Sequence, residues 1–465
     1  MSLSRNIDEA APAPSQALVE RYGGPAPRYT SYPPANHWSA QVGEAELHAA
    51  LARADASPAP LSLYVHLPFC AQMCRFCGCN VIATRDRSRP DGYLDVLELE
   101  ADHWAARLPS RRRYRELHLG GGTPTFLSVE QLQRTMAIVD ARFTREPGAE
   151  LSIEIDPSAT SVEQIEALAR LGFTRISMGV QDLDETVQTA VGRRHSQKTL
   201  GRMVQAARAA GFRSVNIDLI YGLPYQTVPG FLVTIARVLE HSPDRLALFG
   251  YAHVPELKPN QRLMPQAALP GPLLRAALAA EAGRLLCDRG YRHVGFDHYA
   301  LPDDDLARAA EEGRLSRGFQ GYTTQQPGDL VGLGVSAISD VGGLYAQNHH
   351  RLSHWTNAVQ TGHLPIERGW LRTAEDKARG EAIAEVLCSE RLDGERLRQR
   401  HGPSADFLEA ALDSLAPLED DGLVLIRGLR LNVRPRGRMF LRRIAQAFDA
   451  HAPAPREQRP AAAGI

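Results

Sequence analysis

The stretch Leu61–Val81, LSLYVHLPFCAQMCRFCGCNV, decides how the rest of the chain is read. Its first half is a run of apolar, β-branched and aromatic residues, which predicts a strand. That strand empties into a loop crowded by Cys70, Cys74, Cys77 and Cys79. The first three follow C-x3-C-x2-C, a spacing that lets three thiolates from one short loop take three corners of a cube-shaped iron–sulfur cluster. The fourth iron then has no protein ligand and is open to a substrate or cofactor. The alternative is a zinc site, which needs four Cys or His ligands and usually draws them from two separated pairs. No second pair follows, and Cys79 lies only two residues past Cys77, a cramped reach for tetrahedral closure, so the cluster is the favoured reading.

At 465 residues and 43% apolar content the chain resembles an ordinary soluble globular protein, long enough for about two or three domains and a large core. A formal net charge of −1 gives no electrostatic case for nucleic acid or an acidic membrane as partner, so any anionic substrate must be met by local basic residues. No run approaches the length of a membrane-spanning helix and no apolar leader follows the first residues, which predicts a cytoplasmic protein with no membrane partner. Closely spaced cysteines in a reducing compartment point to metal ligation over disulfides. Cys287 and Cys388, alone in helix-like surroundings, read as small buried hydrophobes.

Beyond the cysteine loop the chain falls into a repeating rhythm. Asp91–Leu108 has helical spacing, and Glu116–Leu119 is a strand running into Gly120-Gly-Gly-Thr-Pro124. Consecutive glycines weaken a strand, so bare backbone is needed there, for close approach of a ligand or for a tight turn. Strands are then predicted at Glu150–Asp156, Arg175–Gln181, Ser214–Tyr221 and Arg245–Tyr251, with helices at Val162–Leu171, Thr199–Ala210 and up to Glu240. Strands alternating with helices of this length predict parallel βα units wound as an incomplete TIM-like (βα)6 barrel, about three-quarters of the eight-unit form. Ligands bind at the carboxyl edge of such a sheet, where Glu154, Gln181 and Asp218, each near the end of its strand, would converge.

The ends of the chain differ from this middle. Residues 1–45 form an N-terminal arm whose first twenty or so residues, rich in Ala, Pro and Ser, are expected to be mobile. Residues 46–370 carry the barrel and its extension, with a helix at Leu273–Arg289 and histidines at 293 and 298 that read as structural groups or propionate ligands. From 371 to 465 the pattern is mostly helical: Glu375–Cys388, Leu392–His401, Ala405–Leu415 and a final helix Gly437–Phe448. A small β-wing precedes that last helix, and the tail from Ala452 is expected to be disordered. The basic cluster Arg434–Arg443 is short, so this domain is expected to pack over the barrel mouth and not on DNA.

Tyr64-Val-His-Leu-Pro-Phe-Cys70 and the cysteine spacing resemble the cluster loop of radical S-adenosylmethionine (SAM) enzymes. Cys79-Asn80 and Arg28-Tyr-Thr-Ser-Tyr-Pro-Pro34 narrow the resemblance to the oxygen-independent coproporphyrinogen III oxidase (dehydrogenase) family of haem biosynthesis, over roughly residues 25 to 450. The resemblance implies a [4Fe-4S] cluster on Cys70, Cys74 and Cys77, with Cys79 needed without being a ligand. It implies two SAM molecules, contacted at Tyr64, Phe76, Gly121, Gly122, Thr123, Glu154, Gln181, Arg193, Asp218, Ala252 and Ile338. SAM would chelate the open iron and be cleaved to a 5′-deoxyadenosyl radical that acts on two propionates of coproporphyrinogen III, leaving vinyl groups. The N-terminal arm would help keep water from the radical. A reducing electron donor is required, and a monomer is expected. Val191-Gly-Arg-Arg-His195 departs from the expected Asn and Gln flanks, leaving Arg193 and Arg194 as candidates with alignment favouring Arg193. The competing readings are a haem chaperone of the same family, which usually lacks the fourth cysteine and the RYTSYP segment, and a zinc-stabilised interaction protein.

Overall fold

The computed structural model describes residues 10–40, 42–324 and 328–452. Six strands form the centre: β1 (Leu61–Leu67), β2 (Arg113–Gly121), β3 (Thr144–Ile155), β4 (Arg175–Gln181), β5 (Ser214–Tyr221) and β6 (Arg245–Gly250). Each leads to a helix, α1 (Arg89–Arg107), α2 (Val129–Asp140), α3 (Val162–Arg170), α4 (Gln197–Ala209), α5 (Val228–Leu239) and α6 (Pro272–Asp288). Neighbours from β1 to β6 pair in parallel, the partial TIM barrel that the rhythm predicts.

The strand alternation explains the layering. In β5, Val215, Ile217 and Leu219 join the main core, whereas Asn216 and Asp218 turn to the inner face and stay half-buried. Helix starts are marked by reciprocal caps, Ser128 with Gln131 at α2 and Ser161 with Gln164 at α3. Each cap satisfies backbone N–H groups that the helix cannot, an effect of about 1 kcal/mol.

The sheet continues on both sides of the barrel to twelve strands. Beyond β6 lie β7 (Arg292–Val294) and β8 (His298–Ala300), with β8 antiparallel to β6. On the other side β9 (Leu330–Leu333) is parallel to β1, followed by β10 (Ile338–Val341), β11 (Leu344–Asn348) and β12 (Ile366–Leu371), antiparallel in turn. The sequence reading stops at six strands because these flanks are short and pair mostly antiparallel, with hairpin links from β7 to β8 and from β9 through β11. Hairpin pairing then replaces the βα rhythm.

From residue 10 onward the N-terminal arm is folded against the rest of the chain. Gln16–Tyr22 is a helix, and its Leu18, Val19 and Tyr22 share one hydrophobic core with Leu392, Leu412, Phe440 and Phe448 of the C-terminal region. Tyr22 donates to the carbonyl of Pro417 at 3.0 Å and Tyr29 to Asp449 at 2.9 Å. Alanine and proline suggest a free tail only when the interspersed Leu, Val and Tyr have nothing to pack on, and here the opposite terminus supplies it. Residues 1–9, and the tail expected to be disordered beyond 452, lie outside the described residues.

The C-terminal region has the helix α7 (Ala374–Ser389) and a wing of three strands, β13 (Arg391–Asp393), β14 (Val424–Arg427) and β15 (Arg430–Val433). The expected helix over Ala405–Leu415 is divided, with a 3-10 turn at Gly402–Ala405 and an α-helix at Leu408–Asp413. The expected final helix divides too, into Pro435–Phe440, Leu441–Ala445 and Gln446–Phe448, of which only the middle piece is α-helical. Cys388 is buried as expected, whereas Cys287 is partly exposed.

Candidate active site

The cysteine loop leaves the carboxyl end of β1. Its fixed points are main-chain bonds: Ile82 N–H to the Pro68 carbonyl at 2.7 Å, Thr84 N–H to that of Cys70 at 2.9 Å and Arg75 N–H to that of Val191 at 2.9 Å. Cys70, Cys74 and Cys77 are half-buried and Cys79 is exposed. Burial pushes the Cys70 thiol up to about 11, against a contact from the Thr123 hydroxyl at 3.5 Å. Burial raises the Cys74 thiol too, opposed by Arg193, whose Nη1 lies 3.7 Å from the sulfur. The neighbouring Cys79 pulls the Cys77 thiol below its usual range.

The glycines after β2 serve a different purpose from the one their bareness suggests. A Cβ on Gly122 would lie 2.7 Å from the Phe69 carbonyl oxygen and the Pro68 carbonyl carbon, and one on Gly121, at φ +112°, 2.8 Å from the His66 ring. They let β2 close against the cysteine loop. The N–H groups of Gly122 and Thr123 are spent on the carbonyls of Leu67 and Phe69 at 2.9 and 2.8 Å. What this turn can offer a ligand is its carbonyl oxygens, which suit a donor such as an ammonium group.

Strand register lines up the inner-face side chains. Tyr64 pairs with His118, Glu154 with Ser177, and Gly179 with Asp218 across β1 to β5. The Tyr64 hydroxyl donates to His66 Nδ1 at 3.0 Å, and His66 Nε2 donates to the Asn80 carbonyl at 2.9 Å. Burial keeps His66 neutral, as that tautomer requires. At Glu154 burial works upward, but His118 at 3.3 Å and the Gly121 N–H prevail and hold its carboxyl below the usual range. Asp218 accepts from Ser177 at 2.8 Å and Asn216 at 2.7 Å; burial and then the nearby Glu154 charge push it up to about 6.

Arg193 is held by the Gly179 carbonyl at 2.6 Å and by Asp156 at 3.3 Å, with its guanidinium turned to Cys74. Arg194 is exposed and donates to Thr189. The structure therefore places Arg193, not Arg194, at the cysteine loop. Gln181 has φ +71°, an uncommon conformation for a residue with a side chain, and its buried Oε1 has no hydrogen-bond partner among the described residues. Asn216 Oδ1 is buried and unpartnered in the same way.

Sequence reasoning missed the turn Pro259–Leu263, which clamps the loop from outside. Asn260 Nδ2 reaches the carbonyls of Cys77, Cys74 and Arg75 at 3.0, 3.1 and 3.2 Å. Gln261, buried, donates to the carbonyls of Phe76 and Ala252 at 3.0 and 3.1 Å, tying two of the expected SAM contacts together. Only the fold brings residues so distant in sequence onto the loop. Ile338 starts β10, on the opposite side of β1 from Glu154.

The pattern of the Radical SAM superfamily matches residues 64–237. Oxygen-independent coproporphyrinogen III oxidase of Escherichia coli (strain K12) is 43% identical over 94% of this chain and 95% of its own. The chain belongs to the oxygen-independent coproporphyrinogen III oxidase family. Its member from Pseudomonas aeruginosa is 39% identical over 95% of this chain and 97% of that protein. The solved structure of the E. coli coproporphyrinogen III oxidase, described as a radical SAM enzyme, superposes with a TM-score of 0.89 at 41% identity, covering 95% of this chain and all of that one.

A [4Fe-4S] cluster and SAM are the cofactors of a radical SAM oxidase of this family, and the residues present fit both. Cys70, Cys74 and Cys77, half-buried on one loop beside Arg193 and Thr123, are the thiol donor set such a cluster takes. The unpartnered acceptors Gln181 Oε1 and Asn216 Oδ1 call for a ligand with hydroxyl or amino donors.

Proposed function

We propose that this chain catalyses the reaction its relatives are named for, the oxidative decarboxylation of two propionate side chains of coproporphyrinogen III to vinyl groups, giving protoporphyrinogen IX without oxygen. Each round passes one hydrogen atom from a side chain to the 5′-deoxyadenosyl group of SAM and one electron to an acceptor outside the chain, and releases carbon dioxide. The observation that carries this reading is the loop of Cys70, Cys74 and Cys77 at the carboxyl edge of the parallel barrel, with Arg193 3.7 Å from Cys74, in a chain 43% identical to the E. coli oxidase.

Cys70, Cys74 and Cys77 would hold the cluster, which would supply the electron for reductive cleavage of SAM. Arg193 binds the SAM carboxylate through its planar fork, and the carbonyls of Gly121, Gly122 and Thr123 take its ammonium protons. Glu154, Gln181 and Asp218 accept from its remaining donors, with Phe76, Ala252 and Ile338 as apolar contacts. Tyr64, pinned by His66, closes the row beside Glu154. Cys79, exposed at the end of the loop, serves turnover without ligating. The arm shields the pocket, since the Arg28 guanidinium donates to the Gly250 carbonyl at 2.9 Å, at the end of β6. An external one-electron donor supplies the reducing equivalents.

The test is an oxygen-free assay with reductant, SAM and coproporphyrinogen III, scoring protoporphyrinogen IX, methionine and 5′-deoxyadenosine together. Stoichiometric appearance of all three is expected. Cluster-loaded protein that makes no porphyrinogen product would overturn the reading.

A further inference from the structure

The chain is neutral overall, yet its guanidinium groups are not spread evenly. Asp218 of β5 pairs in register with Ala247 of β6, and Ala247 with His298 of β8, so His298 stands on the same inner-face row with only a methyl group between. His298 Nδ1 is 2.6 Å from Oδ1 of the adjacent Asp297. Behind that pair lies a cavity of about 50 Å³ at the end of β6, where the N-terminal arm meets the C-terminal region. Arg28 comes from the arm and Arg442 from the α-helical piece Leu441–Ala445, and both line it. Arg317 lies over the rings of Phe296, 4.7 Å from its centroid, and Tyr322, at 5.4 Å.

Asp297 is the only carboxylate among the described residues lining this cavity. Arg438 also lines it and pairs with Glu390 at 2.8 Å, while Arg28, Arg317 and Arg442 donate to the main-chain carbonyls of Gly250, of Arg28 and Tyr29, and of Ala26. The cations are close enough to feel one another. Burial, with repulsion from Arg28 and Arg317, brings the Arg442 guanidinium down to about 10, and burial with Arg28 lowers Arg275 as well. Guanidinium groups gathered round one half-closed cleft raise the local concentration of an anion there. The volume suits a carboxylate and its stem and excludes a tetrapyrrole ring.

We propose that Arg28, Arg317 and Arg442 form an anchoring subsite for a propionate carboxylate of the substrate that is not the one reacting, set one sheet row away from Asp218. This rests on the proposed oxidase reaction, whose substrate carries more propionates than are converted. Joining residues from the arm, the barrel extension and the C-terminal region, the subsite holds the macrocycle at the barrel mouth while a different propionate points inward. A guanidinium pairs with a carboxylate through two parallel hydrogen bonds, which fixes orientation as well as position.

The test uses the full-length, cluster-loaded protein under anaerobic conditions, with Arg28→Gln and Arg317→Gln. The probes are coproporphyrin III, the oxidised non-reacting ring with its carboxylates free, and its tetramethyl ester, each followed by fluorescence. We expect both variants to weaken coproporphyrin III binding about ten- to hundredfold, the loss of a charge-assisted hydrogen bond. The ester should bind wild type and variants alike, and Arg28→Lys should recover most of the acid's affinity. SAM affinity, measured on the same samples, reports that the barrel is intact. Equal affinity of wild type and both variants for the acid would overturn the subsite, as would parallel loss of acid and ester, which marks a disturbed arm. Arginine-dependent binding in a protein that makes no protoporphyrinogen IX would uphold the carboxylate site and reject the oxidase reaction instead.

Discussion

Asn260 Nδ2 donates to the main-chain carbonyl of Cys77 at 3.0 Å, joining a turn beyond the last barrel strand to the cysteine loop after the first. The same amide reaches Cys74 and Arg75. Replacing it by Asp turns a donor into a carboxylate facing three carbonyls, whereas Ala merely removes the donor. We expect Asn260→Asp to lower the iron and sulfide retained after anaerobic reconstitution more than Asn260→Ala, the difference corresponding to roughly 1–3 kcal/mol of loop stability. Equal cluster content in both variants would contradict the clamp.

Arg193 and Arg194 are adjacent in sequence and opposite in setting. Arg193→Gln should raise the Kd for SAM by about thirty- to a few thousandfold, the range for loss of one partner in a buried charge pair. Arg194→Gln, at an exposed position, should change it by less than about twofold. Isothermal titration of cluster-loaded protein measures both.

Glu100 is fully buried and accepts from Gly334 N–H at 2.7 Å, Asn348 Nδ2 at 2.6 Å and Trp355 Nε1 at 3.0 Å. Burial outweighs these donors and raises its carboxyl to about 7 from an ordinary 4.5. The folded protein therefore holds this proton more tightly than the unfolded chain. The stability Glu100 contributes is greatest below about pH 4.5, falls as pH rises toward 7 and is flat above. Glu100→Gln removes the titration, so the wild type minus variant difference in Tm should shrink from pH 5 to pH 7 and then level off, by an amount equivalent to a few kcal/mol. A difference independent of pH would show that Glu100 keeps its ordinary titration.

Gly122→Ala places a methyl carbon 2.7 Å from the backbone at Pro68 and Phe69, where neither strand end can give way freely. The expected cost is about 1–3 kcal/mol, read as a lower Tm together with reduced cluster content. At Gly78 an added methyl group would meet only open space, so alanine there should be tolerated on the same assay.

The barrel was legible because its signal is local. Runs such as Ser214–Tyr221 and Arg175–Gln181 have the boundaries that alternation predicts, and α1 and α6 begin and end within two residues of the periodic pattern. The antiparallel flanks were not, since three- to six-residue strands gain their identity from the neighbours they pair with. The site was legible at its cysteines and strand ends, where spacing and strand polarity place chemistry at one edge. Asn260, Gln261 and Arg317 left no such trace, for an isolated Asn, Gln or Arg outside a periodic run has no pattern to betray it.

By itself, the order of residues determined the parallel βα core and the three-thiol loop at its first strand, because hydrophobic alternation and cysteine spacing act over a few residues. Tertiary structure alone decided which arginine turns to Cys74, what the glycines after β2 make room for, and how the two chain ends share a core. Those outcomes depend on contacts between segments far apart along the chain, whose energies exist only once the sheet has set their distance.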